Sequence, residues 1–356
     1  MVFPLFLKLG AIIASILGIS FVIVFHEFGH YLFCKLFNVY TPTFSIGMGK
    51  ILFSKKIGDT NFCISAAPIG GYVEVATDEG VNGSYGFNQI SYWKKVCIML
   101  GGIFCNFFLT YIIFVALFWT GMPDNAVGYY EPCSTKVSSI LENSINACTL
   151  QQKDTLVSLN NQQLNNDLMT ARKIIAQNYQ KLEQIPAQII RDGKTIEFNL
   201  HLSGAKTPPS LSGQLGVSFE CKESLSFVSS LKMAYCSVIF YTCAIIDGLK
   251  KLFDSSAAHG FVGPLMAVAA SSKSAQKGLA SLLFFLAVIS INLGFMNLLP
   301  LPIFDGGQFV IFTIEAILRR QLSEKIRNWI GLSSWVLAIG LLVIFTIKDL
   351  HHLIFG

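Results

Sequence analysis

Four uncharged apolar stretches decide most of what this chain can become. They cover Leu9–Phe25, Val96–Trp119, the run from Gly278 up to Asp305, and the segment between Arg327 and Lys348. A helix needs about 17 to 25 apolar residues to cross the hydrocarbon core of a bilayer. Inside lipid every backbone N–H and C=O must be satisfied within the segment, so each stretch is expected to be a transmembrane α-helix. The composition agrees, with only 13% charged residues, about half the share usual in soluble domains. A further apolar segment, 225–249, is crowded by Lys232, Asp247, Lys250 and Lys251. Those charges suit an interfacial or re-entrant helix better than a fifth span. A cleaved leader is not expected, because no small-residue cleavage site follows the first stretch.

Between the second and third spans lies a polar region, about residues 124–222. It alternates strand-like runs (Thr155–Leu159, Gln188–Ile190, Ile196–Leu202) with a helical run near Met169–Tyr179 and a turn signal at Asp192-Gly193. This reads as a small α+β domain. The stretch 203–213, rich in Ser, Gly and Pro, reads as the linker at its end. The expected organisation is therefore a first membrane half at 1–123, the polar domain at 124–213, a linker with interfacial helices at 214–277, and a second membrane half at 278–356.

The charge pattern orients the chain. Lys35, Lys50, Lys55, Lys56, Lys94 and Lys95 fall between the first two spans, and Arg319, Arg320, Lys325 and Arg327 between the last two. Under the positive-inside rule both connections are cytoplasmic, which leaves the polar domain and both termini outside. The net charge of +5 is dispersed, and without a basic block no nucleic-acid partner is expected. The lipid bilayer is the partner that composition requires. Cysteine usage decides little. No C-x-x-C pair occurs, and Cys133, Cys148 and Cys221 in the polar region are either free thiols or contain one pair.

The chemistry sits at the end of the first span, in His26-Glu27-Phe28-Gly29-His30. Positions i and i+4 share a helical face, so both imidazoles can reach one ion. Zinc accepts nitrogen ligands and, in catalytic sites, keeps one position open. Glu27 is placed to take a proton from water and pass it on. Two histidines and a glutamate at the margin of a span are costly unless a metal or water receives them. A third ligand is needed. Asp305 follows Pro300 and Pro302, which break the helix, and precedes Gly306 and Gly307. Spacing alone leaves two roles open for it: the third ligand, or the cap of a helix over Gln308–Leu318.

In its motifs the chain resembles the site-2 protease family of intramembrane metalloproteases, and within it the bacterial RseP-like branch. The matching elements are HEFGH at 26–30, FSIGMG at 44–49, PIGGYVEV at 68–75, VGPL at 262–265 and NLLPLPIFDGG at 297–307. The resemblance implies His26, His30 and Asp305 as ligands of one zinc ion and Glu27 as general base. It implies that residues 44–75 form a membrane-associated β-hairpin that offers an edge strand to an unwound substrate, with Gly70, Gly71 and Tyr72 among its substrate-facing residues. Asn106 matches a Gly-x-x-x-Asn pattern beginning at Gly102, and Asn292 and Asn297 flank the site on the third span. Buried asparagines of this kind either bind substrate backbone or join helices. The polar domain resembles a single PDZ domain through Asn143-Ser144 and Leu150 to Asn160, with Lys153 where a glycine is usual before Asp154.

The fold expected is an α-helical integral membrane protein with four transmembrane helices, a β-hairpin and one extracytoplasmic PDZ-like domain. The activity expected is hydrolysis of peptide bonds in or near the transmembrane segments of single-pass membrane proteins, at a bacterial inner membrane. Trimmed anti-sigma factors and remnant signal peptides are the substrates the resemblance implies. A catalytically silent peptide-binding scaffold would be expected to have lost Glu27 or a ligand. A metal transporter would need polar residues along several spans, whereas here they gather at one depth.

Overall fold

The computed structural model describes residues 2–123, 133–140, 144, 146–166, 168–178, 184–202, 215–221, 224–253 and 264–355. Its elements, in chain order, are α1 (Val2–Leu36), β1 (Thr43–Ile57), β2 (Thr60–Glu74), α2 (Tyr92–Thr120), β3 (Cys133–Ile140), β4 (Thr155–Leu159), β5 (Gln162–Gln163), α3 (Leu168–Asn178), β6 (Gln184–Arg191), β7 (Lys194–His201), β8 (Val217–Cys221), α4 (Phe227–Phe253), α5 (Pro264–Gln276), α6 (Leu279–Asn297), α7 (Asp305–Leu318) and α8 (Glu324–Phe355). Two compact units result: Met1–Leu117 with Val238–Gly356, and Phe118–Ser237.

The first unit is a helical assembly whose outward faces are as apolar as its inner ones. Leu9, Ile13, Leu17 and Phe21 form an exposed stripe along α1, and Phe104, Phe108 and Ile112 do so along α2. Spacing of four residues puts each set on one face. A soluble helix would carry charge there, so these faces suit lipid. Inside, Val22, Leu109, Leu282 and Leu286 from α1, α2 and α6 form a buried cluster. A second cluster, Cys34, Val39, Phe87, Ile90 and Ile98, lies toward the other end of α1. His26 and His30 fall between the two.

Among the described residues four helices are long and apolar enough to cross a membrane: Lys8–Leu36, Tyr92–Thr120, Phe227–Gly248 and Leu279–Asn297. This is a multi-pass membrane architecture, but the membership differs from the expectation. The 225–249 segment, expected as an interfacial or re-entrant helix, belongs to one continuous helix, α4, of 27 residues. Its charges stand toward the helix ends, where Asp247 and Lys250 pair at 3.4 Å. The fourth expected stretch is helical throughout, as α8, without joining those four. The third is shorter than expected, because α6 stops at Asn297 and a separate helix starts at Asp305. The HEFGH motif also lies inside α1, which continues to Leu36, rather than at a helix end.

The expected hairpin is present as β1 and β2, two antiparallel strands of 15 residues each. Both strands bend, so Thr43–Ile46 sits against Asn61–Ile64 as well as Gly71–Glu74, while Phe53–Ile57 pairs with Thr60–Ile64. The bends coincide with left-handed glycines, Gly47, Gly49 and Gly70, a conformation that L side chains rarely adopt.

The second unit carries a six-stranded sheet of order β7-β6-β4-β3-β8, with β5 paired to β4. Ala171, Ile174 and Ile175 of α3 share its buried core with Leu156, Ile185, Ile189 and Leu200. This is the α+β fold the strand and helix signals predict. Asp192 and Gly193 both have positive φ and close the β6–β7 hairpin in the manner of a two-residue loop. The sheet continues past residue 213, since β8 pairs with β3 in a register that sets Cys133 opposite Cys221. The side chains of those two cysteines, Asn143 and the 203–213 linker lie outside the described residues. Cys148 is an exposed free thiol.

Candidate metal centre

The HEFGH turn of α1 faces α2 across its shortest side chain. A Cβ on Gly101 would come within 2.8 Å of the Gly29 carbonyl oxygen, so the two helices meet backbone to backbone. Small residues allow such an approach between membrane helices. The neighbouring Gly102 leaves the space into which both histidines turn, since a Cβ there would lie 2.5 Å from His30 Nε2 and 2.6 Å from His26 Cε1. Both imidazoles are buried.

Asp305 arrives from the far end of the sequence as the first residue of α7. The turn before it contains Pro300 and Pro302, and the Gln308 side chain ties it down by donating to the Pro302 carbonyl at 3.0 Å. Helix α7 is held to the start of α2 by Tyr92 Oη with Thr313 Oγ1 at 2.9 Å and by the Phe87–Phe312 ring contact. Of the two roles the spacing left open, the cap is not taken, since Phe304 is the N-cap of α7 and no side chain caps it. Asp305 reaches the histidines instead.

His26 Nε2 lies 3.1 Å from Asp305 Oδ2, His30 Nε2 lies 3.3 Å from the same oxygen, and the two nitrogens are 3.2 Å apart. Tetrahedral zinc with bonds of about 2.0–2.1 Å separates its ligand atoms by about 3.3 Å. The three donors thus stand at the spacing such an ion imposes. Their protonation agrees. His30 Nδ1 is 2.8 Å from the Ile98 carbonyl oxygen, which can only accept, so Nδ1 carries the proton and Nε2 presents a lone pair. Asp305 Oδ2 is buried without a hydrogen-bond donor. Lone pairs converging in a dry site repel unless a cation lies between them. Among the described residues this is the group of three that could hold a metal ion.

The other site residues divide. Glu27 is part-buried on the same turn, and its carboxyl group is within hydrogen-bonding reach of the Val73 backbone. Strand β2 is brought there by Gly71, where a Cβ would meet Ser45 O at 2.7 Å and Val24 Cγ2 at 3.1 Å. Gly70 is close by, its carbonyl accepting from Ser20 Oγ at 3.4 Å, and Tyr72 beside it is exposed. Asn106 Nδ2 lies 3.0 Å from His26 Nδ1, and Asn297 Nδ2 lies 3.3 Å from His26 Nε2. Asn292 does not join them. It is exposed and donates to its own helix at Val288 O, 2.7 Å away. Five residues of helix turn it about 140° from Asn297. Sequence reading missed the Ile98 carbonyl and the close approach at Gly101, and it took Gly102 only as the start of the pattern ending at Asn106, although adjacent glycines inside an apolar span were the available signal.

Membrane-crossing helices around a buried two-histidine, one-carboxylate donor set with an adjacent glutamate define an integral membrane metallopeptidase. The sequence profile of peptidase family M50 matches residues 14–341, and the chain belongs to that family. It is 29% identical to a candidate zinc metalloprotease of Campylobacter jejuni over 96% of this chain and 94% of that protein. Similar proteins of the same description occur in Clostridium perfringens, 28% identical over 95% and 98% of the two chains, and in Helicobacter pylori, 27% identical over 93% and 95%.

Proposed function

We propose that this protein is a zinc-dependent endopeptidase of the RseP-like branch, cutting peptide bonds within or beside the transmembrane segments of single-pass membrane proteins. The observation that carries this reading is the convergence of His26, His30 and Asp305 beside Glu27, on helices whose outer faces suit lipid. One zinc ion is held by the three ligand residues. When bound, it supplies Lewis acidity at the scissile carbonyl and lowers the pKa of the attacking water. Glu27 takes the proton of that water and delivers it to the departing amine, so the base ends the cycle as it began.

A helical substrate hides its scissile amide in its own hydrogen bonds and must become extended before attack. Residues Gly71–Val73 run beside Glu27, and strand addition along this segment would replace the bonds lost on unwinding. Asn297, at the rim of the ligand cluster, suits donation to the substrate backbone. The 124–213 region acts as an extracytoplasmic PDZ-like filter that admits substrates already trimmed outside, such as shortened anti-sigma factors or remnant signal peptides. The site then faces the cytoplasmic side of a bacterial inner membrane, with α1, α2, α6 and α8 as the four spans.

The test is reconstitution with a trimmed single-pass substrate in liposomes. Cleavage that stops with a chelator and returns with added zinc supports the reading. Intact substrate across a panel of trimmed proteins, at full zinc loading, overturns it.

A further inference from the structure

We propose that Asn106 is a positioning residue for the metal ligand His26: its amide oxygen accepts the His26 Nδ1 proton and so presents the Nε2 lone pair to the ion. The inference rests on the zinc reading above and concerns a residue whose sequence pattern suggested substrate contact or helix joining.

The two histidines are held alike. His30 has its Nδ1 fixed as a donor by the Ile98 carbonyl at 2.8 Å. His26 uses the same edge toward the same helix, where α2 offers it the Asn106 side chain at 3.0 Å. Both rings turn Nε2 toward Asp305 Oδ2. Binding through Nε2 requires the proton on Nδ1, and the group opposite that proton must accept. Of the two ends of the Asn106 amide only the oxygen can do so.

Asn106 is fully buried, and with the nitrogen turned to His26 its Oδ1 is left buried with no partner. The two ends of an amide are related by a half-turn, so the hydrogen-bond network assigns them. A half-turn of the amide gives Oδ1 a donor, leaves Nδ2 in the place Oδ1 held, and makes the two imidazoles the same tautomer, which is what binding through Nε2 requires.

The residue is also held too firmly for a mobile substrate-binding role. Its carbonyl accepts from Thr110 Oγ1 and from Ser290 Oγ, each at 2.9 Å. On α6, a Cβ on Gly294 would lie 3.0 Å from Asn106 Cβ. With no exposed surface, the side chain offers a substrate nothing to touch.

The test is metal retention by the purified full-length protein, titrated with a zinc chelator. Asn106→Leu keeps the volume and removes the acceptor, so zinc affinity should fall about 10- to 100-fold, the usual loss when an outer-shell partner is removed. Asn106→Asp keeps the acceptor and removes the leftover donor, so affinity should stay within a few-fold of wild type. Ser290→Ala, which loosens the same helix contact without touching His26, should leave the chelator curve unchanged. Histidine-selective 15N NMR of the zinc-loaded protein should show a hydrogen-bonded Nδ1–H on His26 that disappears in Asn106→Leu. An unchanged chelator curve for Asn106→Leu with a raised KM would overturn the proposal in favour of substrate contact. Equal losses in the Leu and Asp variants would overturn it in favour of packing alone. A wild-type protein that holds no zinc would instead remove the proposed function on which the inference rests.

Discussion

Gly29 of α1 and Gly101 of α2 meet backbone to backbone, one residue before the second histidine of the metal motif and one residue before the glycine that makes room for it. The contact sets the distance between the two helices that carry His26, His30, Asn106 and the Ile98 carbonyl. Replacing Gly101 by Ala must push the helices apart or distort them, since the new methyl meets the Gly29 backbone, which cannot swing aside, as well as the Phe33 ring. Overpacking of this kind costs about 1–3 kcal/mol. Thermal unfolding in detergent should register that loss, and zinc content should fall with it.

Gly102→Ala separates site geometry from helix spacing. The added methyl would press on the rims of both imidazoles, so it should lower zinc affinity by more than it lowers the unfolding temperature. Chelator titration beside calorimetry checks the pair of outcomes.

Gly71→Ala acts on the strand rather than on the metal. The new Cβ would meet the Ser45 carbonyl and Val24 and lift β2 away from α1 and Glu27. Zinc content should match wild type while kcat/KM for a reconstituted substrate falls at least tenfold, a loss of about 1.4 kcal/mol in transition-state stabilisation.

Lys153 precedes Asp154 in a backbone conformation that favours glycine. It adopts φ of 76°, in the left-handed region that costs a side chain about 1 kcal/mol or more. The strain is held by Asp154, which is buried, accepts from the Gln151 amide at 2.7 Å and takes both Nε and Nη2 of Arg191 at 2.8 and 2.7 Å. Lys153→Gly should stabilise the second unit by up to about 1 kcal/mol, part of the gain being offset by the freer unfolded chain. Protease resistance of this unit in the full-length protein is the readout.

Much of the site was legible because its signals are local. The i, i+4 spacing of His26 and His30 fixes a shared face without knowledge of any neighbour. Strand limits at Thr155–Leu159 and the Asp192-Gly193 turn follow from residue type in the same way. The features that escaped depend on partners distant in sequence. Asn106 sits 80 residues from His26, so its role emerges only once α2 is packed beside α1, and packing of α7 decides between the two roles left open for Asp305. Segment 225–249 reads as interfacial or re-entrant from its charge count, and a charge count carries no position. Along a continuous 27-residue helix Lys232 falls near one end, and Asp247, Lys250 and Lys251 fall near the other. Pro300 and Pro302 signalled the break after α6, but the start of α7 at Asp305 needed the favourable place of an acidic group in a first turn.

The most direct test of the account compares wild type with Glu27→Gln, measuring zinc content and cleavage of a trimmed single-pass substrate in the same liposomes. Glutamine keeps the shape beside His26 and removes the base. The account predicts equal zinc in the two proteins and cleavage by wild type alone, with a drop of at least 100-fold for the variant, in line with the usual contribution of a positioned general base. Cleavage by the variant at the wild-type rate, with equal zinc, would contradict it.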